Sequence, residues 1–234
     1  YGSAPLDVLT DKEGTRRVLG YLPQEFGLPP RARATDLLHT FAILKGLVDR
    51  GPRRDVVEGL LRMTNLWDHR NKAVGTFSGG MRQRFGIAVA LIGNPRLIIV
   101  DEPTAGLDPA ERSRFHDLLA TIGQDAVVLL STHIVDDVVN LCPSMAILHQ
   151  GQVRLSGAPK EVCGQLSGRV FGRQVDAQEL EKLEADPELK LISKRLVAGQ
   201  REVRVVADAA PPGFEAVEAT LEDVYFAVTT GAWA

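Results

Sequence analysis

No stretch of this sequence stays apolar for long. Its longest unbroken runs, such as Leu97–Val100 and Ala126–Leu130, fall far short of the roughly 20 residues that cross a bilayer. Any membrane connection is therefore expected to run through another protein. Cysteine is nearly absent too. Cys142 and Cys163 supply neither a disulfide framework nor metal-ligand spacing, so their expected state is reduced thiol in a cytosolic protein. Strong charge of one sign is also missing. The 27 basic and 30 acidic residues leave a net charge of −3, which argues against a nucleic-acid partner held by bulk electrostatics. Internal repeats, low-complexity tracts and a signal-peptide pattern are absent as well. The chain opens Tyr1-Gly2-Ser3 and has no methionine before Met63, which leads to the expectation of further residues upstream.

What is present is an ordinary globular composition: 234 residues, 44% hydrophobic and 24% charged, enough to bury a core. Val18–Leu22 reads as a strand stopped by Pro23. Thr35 offers an N-cap to a helix carrying Leu37, Leu38, Phe41 and Leu44, and a second helical pattern follows the Gly51-Pro52 break. Ser78-Gly79-Gly80 opens a third helix with Phe85, Ala88, Val89 and Ile92 on one face. These helices, over about residues 35–95, read as a layer inserted between sheet-forming segments.

Two segments of one design come next. Leu97–Val100 ends in Asp101-Glu102, and Ala126–Leu130 ends in Ser131-Thr132-His133. Continuous apolar runs with polar carboxyl ends describe buried parallel strands that present chemistry along one sheet edge. Between them Asp108-Pro109-Ala110-Glu111 has the form of a capping box with proline at the first helical position. The helix it opens buries Phe115, Leu118, Leu119 and Ile122, and Gly123 can close it. Further on, Met145–Leu148, a Gln150-Gly151 turn and Val153–Leu155 form an expected hairpin. Composition shifts after Cys163. Strands are expected over Val170–Val175, Leu189–Leu196 and Arg201–Ala207, an exposed helix over Ala177–Ala185, and a final helix capped by Thr220. The expected division is therefore 1–163 and 164–234, the second part a small α+β appendage.

A buried strand that delivers adjacent carboxylates into a cleft is costly unless a positive group balances them. One such group is a magnesium ion on nucleotide phosphates, with Asp101 in its shell and Glu102 orienting or deprotonating a water. The alternative is a solvated strand end. His133 could sense a γ-phosphate through a neutral imidazole, or be structural. Gln24, just past the first strand, could reach the metal or the water. At Ser78-Gly79-Gly80, bare backbone N–H groups at a helix N-terminus make a phosphate seat, or simply an ordinary cap. Arg82 and Arg84, one turn in, could be plain solvated charges.

Taken in order, these pieces resemble one family. Gly20-Tyr21-Leu22-Pro23-Gln24 resembles the Q-loop, and Phe77-Ser78-Gly79-Gly80-Met81-Arg82-Gln83-Arg84 resembles the signature motif, of ATP-binding-cassette (ABC) ATPases. Leu97–Pro103 resembles the Walker B strand with its catalytic glutamate, Ala105-Gly106-Leu107-Asp108 the D-loop, and Ser131-Thr132-His133 the switch histidine. The resemblance covers the stretch to about residue 160. Beyond it, Leu221-Glu222-Asp223-Val224-Tyr225-Phe226 resembles a tail of ABC-2 exporter subunits. It implies an α/β fold with a mostly parallel sheet of P-loop NTPase type, the inserted helical layer and the C-terminal appendage.

The resemblance also implies roles. Asp101 and Gln24 would serve Mg2+, Glu102 the attacking water, and His133 the γ-phosphate of ATP. Ser78, Gly79, Gly80 and Met81 would face the nucleotide of a second ATPase subunit in a head-to-tail dimer, with Asp108 reaching across the seam. A membrane-spanning permease subunit would dock a coupling helix near the loop after Gln24, on the cytoplasmic face of the membrane. Two departures stand out. No G-x-x-x-x-G-K-[ST] loop occurs in these residues, so the lysine and backbone nest for the β- and γ-phosphates are missing from them. Met81 stands where many members carry glutamine, and a thioether cannot replace an amide in hydrogen bonding a ribose. Other classes are a soluble ABC-type ATPase, against which the lack of coiled coils, tandem cassettes and basic linkers counts, and a catalytically inactive regulatory relative.

Overall fold

The computed structural model describes residues 6–186 and 189–233, which divide into two compact units, one ending at His133 and the other starting at Ile134. In the first unit, helix α1 (Lys12–Val18) leads directly into strand β1 (Leu19–Leu22). The apolar run expected to be all strand thus gives its first residue to a helix. Asp11 fixes that helix, its side chain accepting from the Gly14 amide at 2.8 Å. β1 pairs in parallel with β2 (Leu97–Asp101), and β2 with β3 (Val127–Ser131), in the order β1-β2-β3. Ile98 and Val100 of the central strand are fully buried. β3 departs from expectation: Val127 and Leu129 are 67% and 57% exposed. A continuous apolar run is buried throughout only where both faces are covered, and β3, one of the two edge strands among the described residues, has one face exposed along its length.

The helical layer comprises α2 (Ala34–Leu44), α3 (Arg50–Met63) and α4 (Gly79–Ala90), joined by two short 3-10 turns at Trp67–His69 and Val74–Thr76. Its core gathers Leu38, Leu61, Leu66, Phe77 and Phe85. Thr35 does not cap α2. The carbonyls of Lys72 and Arg70 accept the Ala34 and Thr35 amides at 3.1 and 3.0 Å, so a distant loop satisfies the first turn. Gly51 and Pro52 lie inside the first turn of α3, where proline costs no hydrogen bond.

α4 runs close against β1, and two glycines allow it. A Cβ on Gly86 would meet the Leu22 side chain, and one on Gly20 would strike the backbone carbonyl of Ala90. That carbonyl cannot move aside without α4. Gly20→Ala is accordingly expected to lower stability by about 1–3 kcal/mol, read as a shifted urea midpoint; an unchanged midpoint would show that sheet and helix are not held this tightly.

The sheet connects onward through α5 (Pro109–Ile122), which buries Phe115, Leu118, Leu119 and Ile122. Strand β2, helix α5 and parallel strand β3 make the expected βαβ unit.

The second unit holds α6 (Val135–Leu141), the hairpin β4 (Met145–His149) and β5 (Gln152–Gly157), α7 (Pro159–Gly164), β6 (Val170–Val175), α8 (Ala177–Glu184), β7 (Leu191–Val197), β8 (Gln200–Val206), β9 (Glu215–Ala216) and α9 (Leu221–Thr230). Gln150 and Gly151 turn the first hairpin with positive φ, as their sequence suggests. Positive φ falls on Ala198 and Gly199 in the β7–β8 turn, one residue earlier than expected. The antiparallel sheet has the order β7-β8-β6-β9.

Packing places the division of the chain at His133/Ile134 rather than at Cys163/Gly164. Val135, Val138, Ile147 and Val162 share one cluster with Val170, Val206 and Val224, so the segment from α6 to α7 buries its apolar side chains together with the C-terminal sheet and helix. Cys142 and Cys163 are both free, and burial raises both thiols above the ordinary range, with Asp137 and Asp223 adding to the shift. Thiols held protonated in this way are poor nucleophiles.

Candidate nucleotide site

The three parallel strands end level with one another, Leu22 opposite Val100 and Asp101 opposite Ser131. Their carboxyl ends therefore bring Gln24, the Asp101-Glu102 pair and the Ser131–His133 segment to one sheet edge. Asp101 and Ser131 are cross-strand neighbours, and the serine hydroxyl donates to Asp101 Oδ1. Glu102 leaves the strand in the left-handed region, φ 47°, a conformation that costs a non-glycine residue about 1–3 kcal/mol. Its amide still donates to the Ser131 carbonyl at 2.9 Å.

Successive residues of a regular strand point to opposite faces. The kink at Glu102 breaks that alternation, so that two adjacent acids meet side chains two positions apart on the neighbouring strand end: Asp101 meets Ser131 and Glu102 meets His133. His133 Nδ1 lies 2.6 Å from Glu102 Oε2. That oxygen is buried. Backbone strain thus falls on the residue expected to handle water, as strain often does at functional sites.

The glycine turn opens α4 as expected. Ser78 is the N-cap, its Oγ accepting from the Met81 amide at 3.2 Å. Ser78 and Gly79 are exposed and Gly80 is buried. Met81 is half-buried and packs against the helical-layer core, so its thioether serves packing in this structure. Asp108 is exposed and caps α5, accepting from the Glu111 amide at 2.8 Å.

Two residues differ from their sequence reading. Glu111 does not complete a capping box with Asp108. Its carboxylate turns instead to Arg114 Nη1 at 2.9 Å and Arg84 Nη2 at 3.3 Å. Arg84 is not a solvated charge but is buried, 8% exposed. Helical spacing could have exposed this, since Arg84 adjoins Phe85 and lies four residues before Ala88, both in the helical-layer core. Arg82 stays exposed.

A sequence profile of the ABC transporter family matches residues 3–105. The chain is 33% identical over 182 residues to the uncharacterized ABC transporter ATP-binding protein YxlF of Bacillus subtilis, covering 78% of this chain and 60% of that one. It is 30% identical over 166 residues to the probable multidrug ABC transporter ATP-binding protein YbhF of Escherichia coli, with 70% of this chain and 28% of YbhF covered.

The chain belongs to the ATP-binding-cassette family.

A solved ATP-binding subunit of an ABC transporter shares the cassette fold with a TM-score of 0.59 and 28% identity, over 68% of this chain and 67% of that one. The parallel sheet is of P-loop NTPase type. Arabidopsis thaliana ABC transporter A family member 3 aligns with 98% of this cassette chain at 30% identity, although only 27% of that relative is covered. The chain thus spans about three-fifths or less of these curated relatives. Among the described residues no helix is long and apolar enough to cross a membrane.

Proposed function

We propose that this chain is the greater part of the ATPase subunit of an ABC transporter, coupling ATP-driven closure of two subunits to substrate movement through a separate membrane-spanning permease. The observation that carries the reading is the convergence of Asp101, Glu102 and His133 at one sheet edge, with a capped glycine turn on the same unit. Under this reading Glu102 is the general base: a carboxylate at the sheet edge can orient a water and take its proton, with His133 Nδ1 2.6 Å from its Oε2. His133, 71% exposed at its side chain, contacts the γ-phosphate of the substrate ATP and reports its presence. The bare amides behind Ser78 grip the nucleotide of the second subunit, and Asp108 reaches the partner from the start of α5.

The residues suit a magnesium ion. Asp101, Glu102 and Gln24 offer hard oxygen donors, few enough that phosphate oxygens would complete the shell, which is the usual manner of holding this ion. Asp101 and Gln24 would hold it, and when bound it neutralises charge on the phosphates. Ser131 keeps the Asp101 carboxylate oriented for that task. The subunit works on the cytoplasmic face of the membrane, paired with a second ATPase subunit, of its own kind or a related one, and without nucleic acid.

ATP hydrolysis by the intact subunit, measured with and without its permease, tests this function. Magnesium-dependent turnover that the permease modulates is expected; absence of turnover in both would contradict it. The 234 residues alone, lacking a G-x-x-x-x-G-K-[ST] loop, are expected to bind ATP weakly or not at all. Tight, magnesium-dependent binding in a calorimetric titration would show that phosphate is held by residues other than those named.

A further inference from the structure

Arg84 is a charged side chain in the interior of the first unit, and arginine is buried almost only where it is paired. Its contacts come from three elements. Nη1 donates to the carbonyls of Thr64 and Asn65 at the end of α3, both at 3.3 Å, and Nε donates to Gly80 at 3.4 Å in its own helix. Nη2 makes the ion pair with Glu111 on α5. Carbonyls at a helix C-terminus favour a cation, so the guanidinium is seated from both sides. Glu111 is held in turn by Arg114. Its carboxyl group lies so close to Gly80 that a Cβ on that glycine would strike it. The close approach of this side chain and the ion pair therefore join the same two places, the glycine turn of α4 and the first turn of α5.

The linkage matters because of what each end carries. α4 starts with Ser78-Gly79-Gly80, and α5 follows directly on the loop that begins at Asp101-Glu102 and ends at Asp108. We propose that Arg84 and Glu111 form a cross-brace that sets the glycine turn at a fixed position relative to the acid pair of the same chain. They are positioning residues: neither belongs to the site itself, and they act through the turn. The inference rests on the function proposed above, in which that turn serves the nucleotide of the second subunit. A brace of this kind governs dimer closure and leaves the subunit's own nucleotide face alone.

The test uses the intact subunit. Glu111→Gln keeps shape and removes the charge that balances Arg84. ATP-driven dimerisation and kcat are both expected to fall about 10- to 100-fold, the scale set by small misplacements remote from the chemistry. Nucleotide affinity of the dilute single subunit should stay within about twofold on the same argument. The double variant Arg84→Met/Glu111→Gln strands no buried charge, so its Tm should recover towards wild type while dimerisation stays weak. A residue important only for folding would recover both together. Normal ATP-driven dimerisation in Glu111→Gln, or its full recovery in the double variant, overturns the brace. A wild-type subunit that does not dimerise with ATP overturns the underlying functional reading instead.

Discussion

In the intact subunit, Glu102→Gln is expected to cut steady-state ATP hydrolysis by about 10²- to 10⁴-fold, the contribution of a positioned general base. The amide keeps the size of the carboxylate and its capacity to orient a water, but it cannot accept the proton. The other groups at the sheet edge have the different roles proposed above: Asp101, oriented by the Ser131 hydroxyl, serves the metal, and His133 the γ-phosphate. The groups proposed to grip ATP from the second subunit, Ser78 and the amides behind it, are untouched by the change. ATP-driven dimerisation should therefore persist or strengthen, because the nucleotide that holds the two subunits together is no longer consumed. Light scattering with and without ATP, beside a phosphate-release assay, separates the two effects. Unchanged turnover would show that another group is the base.

The second large effect concerns the C-terminal unit and can be measured on the 234 residues as they stand. Asp223, 1% exposed, accepts from Arg204 Nη1 at 2.7 Å, from the Thr220 amide at 2.9 Å and from the Thr220 hydroxyl at 2.8 Å. Arg204 also donates through Nε to Glu202 at 2.6 Å. Helix α9 is thereby fastened to strand β8 by a buried ion pair that doubles as half of a capping box. Asp223→Ala removes one of the two carboxylates on Arg204 and leaves Glu202 in place, so the lost charged hydrogen bonds cost about 1–3 kcal/mol, with about 1 kcal/mol more for the cap.

In a Trp67→Phe background, urea unfolding followed by the fluorescence of Trp233, which packs into this unit's core, reports the loss locally. Replacing both partners, Arg204→Met with Asp223→Leu, should recover much of it, since an apolar pair of similar volume leaves no orphan charge. A loss under about 1 kcal/mol in the single variant would contradict the role given to the pair. The tail from Leu221 to Phe226 is thus a structural latch in its own unit.

Much of this was readable in the sequence because it depends on local chemistry. Ser78, Asp108 and Thr220 cap the helices that follow them, since a short side-chain oxygen ahead of a helical pattern has few other uses. The apolar runs ending in Asp101 and Ser131 form parallel strands, and their equal placement in the register brings the acids and the imidazole together. The Gln150-Gly151 turn closes its hairpin for the same local reason.

What escaped the sequence depends on distant contacts. The kink at Glu102 carries no glycine or asparagine to announce it, because the Ser131 carbonyl across the sheet holds it. Lys72 and Arg70 take over the capping of α2 from a residue over thirty positions away. Arg84 looks like one more surface arginine until α3 and α5 close over it. Helices α1, α6 and α7, six or seven residues each, are too short for a periodic signal. The change of unit at His133/Ile134 leaves no mark in composition, since hydrophobic residues on both sides are alike and only the cluster they join differs.

The most direct measurement is a structure of the intact Glu102→Gln subunit with magnesium and ATP. The account predicts a head-to-tail dimer in which the γ-phosphate lies between His133 of one subunit and Ser78 of the partner subunit, with Asp101 on the metal side. Nucleotide held elsewhere, or a dimer whose glycine turns face solvent, would contradict it.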